Sequence, residues 1–133
     1  LGHKVFFYKR AQIFVADLYS AFDGKEWGSF VDMDRLTAFA DYKLPQVLRH
    51  LGILRYARSL AQKVDQRIFI EAGSPEEVEI RANTIWAVEL IRKELVLLGK
   101  AVRAFEVDSI LWNMSQDFGI KARPHHRTVT IFY

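Results

Sequence analysis

The stretch that begins at Gly73 constrains the fold more than any other part of the chain, because it predicts one long helix. Ser74 fits the N-cap position, Pro75 the first turn and Glu77 the third helical position, as a capping box requires. Gly99 supplies the expected stop. Its apolar residues are Val78, Ile80, Ala82, Ile85, Trp86, Val88, Leu90, Ile91, Leu95 and Leu98. A helix that is apolar around most of its circumference is expected to form the core of a helical domain.

Apolar residues at helical spacing predict further helices on both sides of this one. The predicted ranges are 3–22, 35–40, 44–51, 56–67 and 107–118. The tail from Arg127 alternates β-branched and aromatic residues, but one extended segment cannot form a sheet by itself. We therefore predict an all-α fold, with residues 1–133 as a single domain whose helices pack orthogonally.

The composition excludes several classes of protein. Half of the 133 residues are hydrophobic, which is too many for a disordered tail. Cysteine is absent, so disulfides and cysteine-based metal sites are excluded, and a reducing cytoplasmic location is expected. No apolar run approaches the roughly 20 residues of a membrane span, and no signal peptide is visible. The net charge of +3 suits an anionic ligand such as a phosphate but is too small to indicate duplex DNA binding.

Asp41 is the first candidate for chemistry, because it lies at the predicted turn between two short helices. Burial there would raise the pKa of its carboxyl group, whereas a neighbouring cation would lower that pKa. The helix that begins near Leu44 offers free N–H groups and a positive partial charge. Two interpretations stay open: an ionised Asp41 that faces developing positive charge, or an Asp41 that only caps the next helix.

Charged side chains on largely apolar helix faces are further candidates. Lys9 lies among apolar residues of the first predicted helix, so it either reaches a phosphate or a buried carboxylate, or extends to water. Arg81 and Glu89 fall on an apolar side of the long helix, so they are expected to be partly buried or to line a cavity. The pairs Glu77–Arg81 and Glu89–Lys93 are also explained as salt bridges between residues four apart on a helix.

The run Pro124-His125-His126-Arg127 has the residue types of a metal or phosphate site. Adjacent histidines on an extended segment point to opposite sides and rarely bind one ion, and no HExxH-like spacing occurs. We therefore predict no metal site and no cofactor. Arg127 is a candidate clamp for a phosphate or a carboxylate. The sequence has no Walker loop, no GxGxxG motif and no nucleophile elbow.

Four stretches of the chain resemble the queuosine salvage protein family. They are FFYKRAQIFVADLYSAF (6–22), FVDMDRLTAFADYKLPQVLRHLGIL (30–54), GSPEEVEIRANTIWAVELI (73–91) and HHRTVTIFY (125–133). The FADY-x-x-PQVL-x-x-LG and EIRA strings are the most specific of these. The resemblance implies an all-helical fold similar to the helix-hairpin-helix DNA glycosylases. It also implies hydrolysis of queuosine 5′-monophosphate or queuosine, which releases queuine for reuse in transfer RNA.

The resemblance also implies roles for individual residues. Asp41, in the FADY string, corresponds to the family's catalytic aspartate, and Lys9, in the YKRAQ string, to a substrate contact near it. Tyr42 and Arg81 fall in matching motifs and are expected to bind substrate. Family members are longer and have a large N-terminal portion. Because the chain starts at Leu1 and not at a methionine, we expect it to be the C-terminal part of such an enzyme, with that N-terminal portion as a partner.

A reaction of this kind needs a carboxylate. Cleavage of an N-glycosidic bond passes through an oxocarbenium-like sugar with positive charge at the anomeric carbon. A carboxylate such as Asp41 stabilises this charge and can activate water or attack directly. Lys9 would bind the 5′-phosphate or hold Asp41 ionised. Phe39, Tyr42 and Trp86 are aromatic candidates for stacking on the base, although core packing is the expected role of Phe39 and Trp86.

Two other functions compete with this one. A DNA base-excision glycosylase is weakly supported by the helix–turn–helix around Asp41, but such an enzyme needs a strongly basic face. A non-catalytic helical module that binds RNA or another protein predicts a solvent-exposed Asp41 with no cavity beside it. We therefore expect a nucleotide ligand and neither a membrane nor duplex DNA as a direct partner.

Overall fold

The computed structural model describes residues 2, 4–117 and 123–133, and every regular element among them is helical. The helices are α1 (Lys9–Ala21), α2 (Lys43–His50), α3 (Arg58–Asp65), α4 (Pro75–Leu97) and α5 (Ala104–Asp117), with 3-10 turns at Glu26–Gly28 and Met33–Arg35. The all-α prediction is confirmed. The single domain, the orthogonal packing and the likeness to helix-hairpin-helix glycosylases stay predictions.

Helices α2, α4 and α5 pack against one another around the main apolar core. Leu48 of α2 and Val88 of α4 are both fully shielded from solvent. The core is formed by Ala38, Leu44, Val47, Leu48, Ala87, Val88, Ala104, Val107 and Leu111. It places the beginning of α2, where Asp41 lies, against the other two helices.

A second cluster connects α1 to α5. Ala16 of α1 and Phe105 of α5 enclose Met33 and Phe39 from the segment between α1 and α2. Phe39 is therefore a core residue, as expected. This cluster fixes α1, which carries Lys9, next to the segment that leads to Asp41.

The predicted start of α4 is confirmed. The Ser74 hydroxyl accepts a hydrogen bond from the Glu77 backbone N–H at 3.3 Å, and the Glu77 carboxylate accepts one from the Gly73 backbone N–H at 3.1 Å. The expected burial of α4 on most sides is wrong, because Trp86 and Leu98 are 58% and 75% exposed. Only one face of α4 packs on α2 and α5. None of the described helices is long and apolar enough to cross a bilayer.

The predicted helix over residues 3–22 is wrong at its beginning, because α1 starts at Lys9. Tyr8 has a φ of 47°, in the left-handed region, which a right-handed helix cannot include. Residues 4–8 are consequently not helical, and residue 3 lies outside the described residues. Val5 and Phe6 therefore do not belong to an apolar face of α1.

The predicted helix over residues 35–40 is also wrong. Residues 36–40 are not helical and lead directly into Asp41. Ala38 and Ala40 are each only 1% exposed, and buried backbone groups need hydrogen-bond partners. Side chains from three other helices supply these partners: Gln12 and Asp108 accept from backbone N–H groups, and Arg81 donates to a backbone carbonyl.

The remaining helices lie close to their predicted positions. α2 and α3 match the predictions over residues 44–51 and 56–67. α5 begins earlier than predicted, at Ala104, and the Glu106 carboxylate accepts a hydrogen bond from the Arg103 backbone N–H at 2.7 Å in its first turn. The predicted end of α5 at Phe118 lies outside the described residues.

Candidate active site

Asp41 is buried at the beginning of α2, with 7% of its surface exposed. Its Oδ1 atom accepts hydrogen bonds from the backbone N–H groups of Lys43 at 2.7 Å and Leu44 at 3.0 Å. Asp41 therefore caps α2, as one of its two interpretations predicted. Both bonds use Oδ1, so Oδ2 lies outside the cap, and capping does not exclude a chemical role for this carboxylate.

Lys9 lines a cavity of about 810 Å³ on the side of the molecule where α1 begins. The walls come from residues 4–11, from the beginning of α4 and from Phe132. Arg81 of α4 lines the same cavity, but Asp41 does not. The structure thus places two of the predicted site residues at one cavity and Asp41 outside its walls.

Asp108 of α5 is a site residue that the sequence analysis missed. It is 4% exposed, and its Oδ2 atom accepts a hydrogen bond from the Phe39 backbone N–H at 2.6 Å. The pKa of Asp108 is raised to about 7, mainly by burial and also by the charge of Asp41, whereas the hydrogen bond from Phe39 and the charge of Lys9 act to lower it. Asp108 is therefore within electrostatic reach of both Asp41 and Lys9.

A sequence signal for Asp108 was present. It lies between Ala104 and Leu111 on the face of α5 that packs into the main core. A carboxylate on such a face is rarely buried without a partner. The segment that supplies the partner was predicted as a helix, whose N–H groups would have been occupied, so the pairing with Phe39 was not foreseeable.

Arg81 is buried and contacts four neighbouring residues. Its Nε donates to the Ala40 backbone carbonyl at 3.0 Å, and its Nη1 lies 3.2 Å from the Glu77 carboxylate. The guanidinium carbon lies 4.1 Å from the ring centre of Phe7 and 4.4 Å from that of Tyr133. The predicted Glu77–Arg81 salt bridge is confirmed, and Arg81 connects the cavity to the residue before Asp41.

The family of the chain follows from comparison with known proteins. A family model described as "Queuosine salvage protein" matches residues 1–133. The chain belongs to the queuosine salvage protein family. The matched region contains the cavity and Asp41. It also contains Gln12, Arg81 and Asp108, whose side chains bind the backbone of residues 37–40.

Individual members of the family are similar over nearly the whole chain. A relative from Sphaerobacter thermophilus is 58% identical over 132 residues, one from Dictyostelium discoideum 44% over 132 residues, and one from Mus musculus 43% over 141 residues. Each is named queuosine 5′-phosphate N-glycosylase/hydrolase. Each match covers 99% of this chain but only 41 to 42% of the relative. The chain thus spans less than half the length of these relatives.

Two predicted site residues lie apart from the cavity: Tyr42, expected from the resemblance to the queuosine salvage family, and Arg127, expected as a phosphate or carboxylate clamp. Tyr42 is 38% exposed, and its ring centre lies 4.7 Å from that of His125. Arg127 is exposed, and its backbone carbonyl accepts a hydrogen bond from the Ile70 N–H at 2.8 Å. The substrate contacts of Tyr42 and Arg127 stay predictions.

Two predictions for α4 of this queuosine salvage chain are wrong. Glu89 pairs with Arg92, and not with Lys93, at 2.5 Å. The Lys93 ammonium lies 5.4 Å from the ring centre of Trp86 instead. Trp86 is too exposed for the expected core role, and it does not line the cavity next to Lys9.

The adjacent histidines have different surroundings, as their opposite orientation predicted. His125 is exposed, whereas His126 is 2% exposed, with its Nε2 atom 3.1 Å from the Tyr133 hydroxyl. Burial lowers the pKa of His126 to about 4. His126 is therefore neutral at physiological pH and supports Tyr133, which in turn packs on Arg81.

The raised pKa of Asp108 predicts a specific dependence of stability on pH. Between about pH 4 and 7, folded Asp108 keeps a proton that the unfolded chain, with a pKa of 3.8, has lost. This stabilisation is present below pH 4 and is lost as the pH rises to about 7. The substitution Asp108→Asn removes this effect. The difference in free energy of unfolding between the variant and the wild type should therefore increase in favour of the variant, by up to about 4 kcal/mol, as the pH rises from about 4 to 7.

Urea denaturation of both proteins at several pH values measures this difference. His126 contributes the opposite slope to both proteins, since its pKa is lowered on folding, and it cancels in the comparison. Parallel curves for the wild type and the variant would show that Asp108 titrates as an ordinary exposed carboxyl group.

Proposed function

We propose that this chain supplies the catalytic carboxylate of a queuosine 5′-phosphate N-glycosylase/hydrolase, and that Asp41 is that carboxylate. The observation that carries the proposal is a buried Asp41 that is anchored through one oxygen and has a second oxygen outside the cap. The relatives' shared name supports the reaction. A non-catalytic module predicted an exposed Asp41 with no cavity beside it; Asp41 is buried, although it does not line the cavity next to Lys9. The relatives' names do not favour a DNA glycosylase.

The proposed reaction breaks the bond between the anomeric carbon of the ribose and a nitrogen of the base. The bonding electrons leave with the base, and the sugar becomes positively charged. The ionised Asp41 stabilises this charge, and water adds its oxygen to the anomeric carbon and loses a proton, which the departing base takes up. Because the 7-deazaguanine base has no N7 to protonate, the pocket must stabilise the leaving base through other hydrogen bonds.

The cavity lined by Lys9 is the proposed site for the nucleotide. Its volume of about 810 Å³ falls in the range of ligand pockets. Lys9 provides a cation for the 5′-phosphate, and the rings of Phe6 and Tyr8, stacked 5.7 Å apart, provide an aromatic wall. Asp41 does not line this cavity, so the proposed reaction requires a nucleotide that extends beyond the cavity to Asp41, and substrate contacts by Tyr42 and Arg127 require the same.

The remaining proposals concern the longer protein. We propose that an N-terminal portion completes the substrate pocket, that duplex DNA is not a direct partner and that the enzyme acts in the cytoplasm. These proposals rest on the family membership and on the modest net charge of +3. Fractionation of the native cells tests the location, and a duplex-binding titration tests the absence of a DNA partner.

The decisive experiment is an assay of queuine release. The intact polypeptide that carries these residues is incubated with queuosine 5′-phosphate, and free queuine is measured by mass spectrometry. We expect release by the intact polypeptide and slower release by residues 1–133 alone. Failure of the intact polypeptide to release queuine would exclude the proposed reaction.

A further inference from the structure

The segment before Asp41 is held by side chains to an unusual extent. Residues 36–40 are not helical, and Ala38, Phe39 and Ala40 are buried, so these backbone groups have no partners within a helix. The Gln12 side chain of α1 binds Thr37 twice, at 2.8 Å to its backbone N–H and at 3.0 Å to its hydroxyl. Two more bonds follow within three residues, at Phe39 and at Ala40. Three helices therefore hold one short segment from three directions.

The last two of these bonds lie next to Asp41. The Asp108 carboxylate of α5 accepts a hydrogen bond from the Phe39 N–H at 2.6 Å, and Nε of Arg81 in α4 donates one to the Ala40 carbonyl at 3.0 Å. The carbonyl of Ala40 belongs to the peptide group that precedes Asp41, so Arg81 fixes the orientation of that group. On the other side, Asp41 itself holds the first N–H groups of α2. The backbone of Asp41 is thus fixed at both ends.

We propose that Arg81 and Asp108 are positioning residues that place the Asp41 carboxylate for the reaction. The inference rests on the proposed function of Asp41. It also changes the role expected of Arg81 from the family resemblance, because Nε and Nη1 of its guanidinium are already committed to Ala40 and Glu77. A displacement of about 1 Å at a reacting group can lower a rate by a factor of about 100, so positioning alone has a large effect.

The test for Arg81 replaces both members of the buried Glu77–Arg81 pair, so that no unpaired charge is left in the interior. The double substitution Glu77→Gln/Arg81→Met removes both charges together with the bond to Ala40. The control is Glu89→Gln/Arg92→Met, which makes the same changes in a partly exposed pair on the same helix. In the intact polypeptide, we expect kcat to fall about 100-fold and KM to stay within about threefold for the first double variant, with no change for the control.

The test for Asp108 is the pH profile of kcat with the variant Asp108→Asn. Asparagine still accepts the hydrogen bond from Phe39 but cannot ionise. The charges that act on Asp108 are those of Asp41 at the start of α2 and Lys9 at the start of α1. Ionised Asp108 holds Phe39 more strongly and adds negative potential near the cationic sugar. The kcat of the wild type should therefore rise with pH through about 7, and this rise should be absent from the variant.

Amide hydrogen exchange provides a readout that does not depend on activity. In Asp108→Ala and in Glu77→Gln/Arg81→Met, the amides of Phe39, Lys43 and Leu44 should exchange at least about tenfold faster than in the control variant Glu89→Gln/Arg92→Met. Unchanged exchange would overturn the proposal, as would a normal kcat in a folded variant or a rise in KM alone. If the wild type releases no queuine, the proposed function fails. If Asp41→Asn is inactive but the Arg81 and Asp108 variants are fully active, only the positioning role is refuted.

Discussion

Asp41→Asn should reduce queuine release by about 1,000-fold or more in the intact polypeptide, as expected when one preorganised electrostatic group is removed. Asparagine keeps an Oδ1 atom that can accept the hydrogen bonds from Lys43 and Leu44, so the cap of α2 should survive. Only the negative charge is lost. The variant therefore separates the two interpretations of this residue, the cap and the catalytic carboxylate.

Rates of queuine release and urea denaturation curves should be measured together on the wild type and three variants. Asp41→Ala removes both the charge and the cap, so it should lose activity and also about 1 kcal/mol of stability. Asp17→Asn, at an exposed position on α1, is the matched control and should have no effect on either measurement. Normal queuine release by Asp41→Asn would mean that Asp41 is only a helix cap.

Glu77→Ala should lower the free energy of unfolding by about 3–5 kcal/mol, because it leaves the Arg81 guanidinium buried without its carboxylate partner. The side chains of Glu77 and Arg81 are both less than a tenth exposed. Glu77 also accepts a hydrogen bond from the Gly73 N–H at 3.1 Å, which would be lost as well. This pair should therefore be the most sensitive ionic contact near the site.

The comparison pair for this measurement is Glu89 with Arg92, whose side chains are each 30% exposed. Glu89→Ala should cost less than about 1 kcal/mol, since water stabilises the charge that remains. The double variant Glu77→Gln/Arg81→Met should recover most of the loss, because no unpaired charge is left in the interior. Equal costs for Glu77→Ala and Glu89→Ala in urea denaturation would show that water reaches the Glu77–Arg81 pair.

Local sequence signals predicted those elements that depend on local interactions. Ser74, Pro75 and Glu77 define the start of α4 through bonds within a few residues, and the structure confirms it. Spacing also placed α2 and α3 correctly. The same approach placed Asp41 at the beginning of α2, because capping is a local interaction.

The errors arose where distant residues decide the outcome. Residues 36–40 were expected to be helical, but Gln12, Arg81 and Asp108 bind the backbone of this segment and stabilise a non-helical conformation. These partners are far away in the sequence, so no window of neighbouring residues reveals them. The role of Asp108 was missed for the same reason.

The packing of Phe7 and Tyr133 against Arg81 links segments from opposite parts of the sequence to the same guanidinium. If Arg81 positions Asp41 as proposed, substitution or labelling in the tail around Tyr133 should alter turnover, although no described tail residue donates to Ala40. Such an effect would look like long-range communication in a mutational scan. Its actual route would be short: from ring to arginine, and from arginine to the carbonyl next to Asp41.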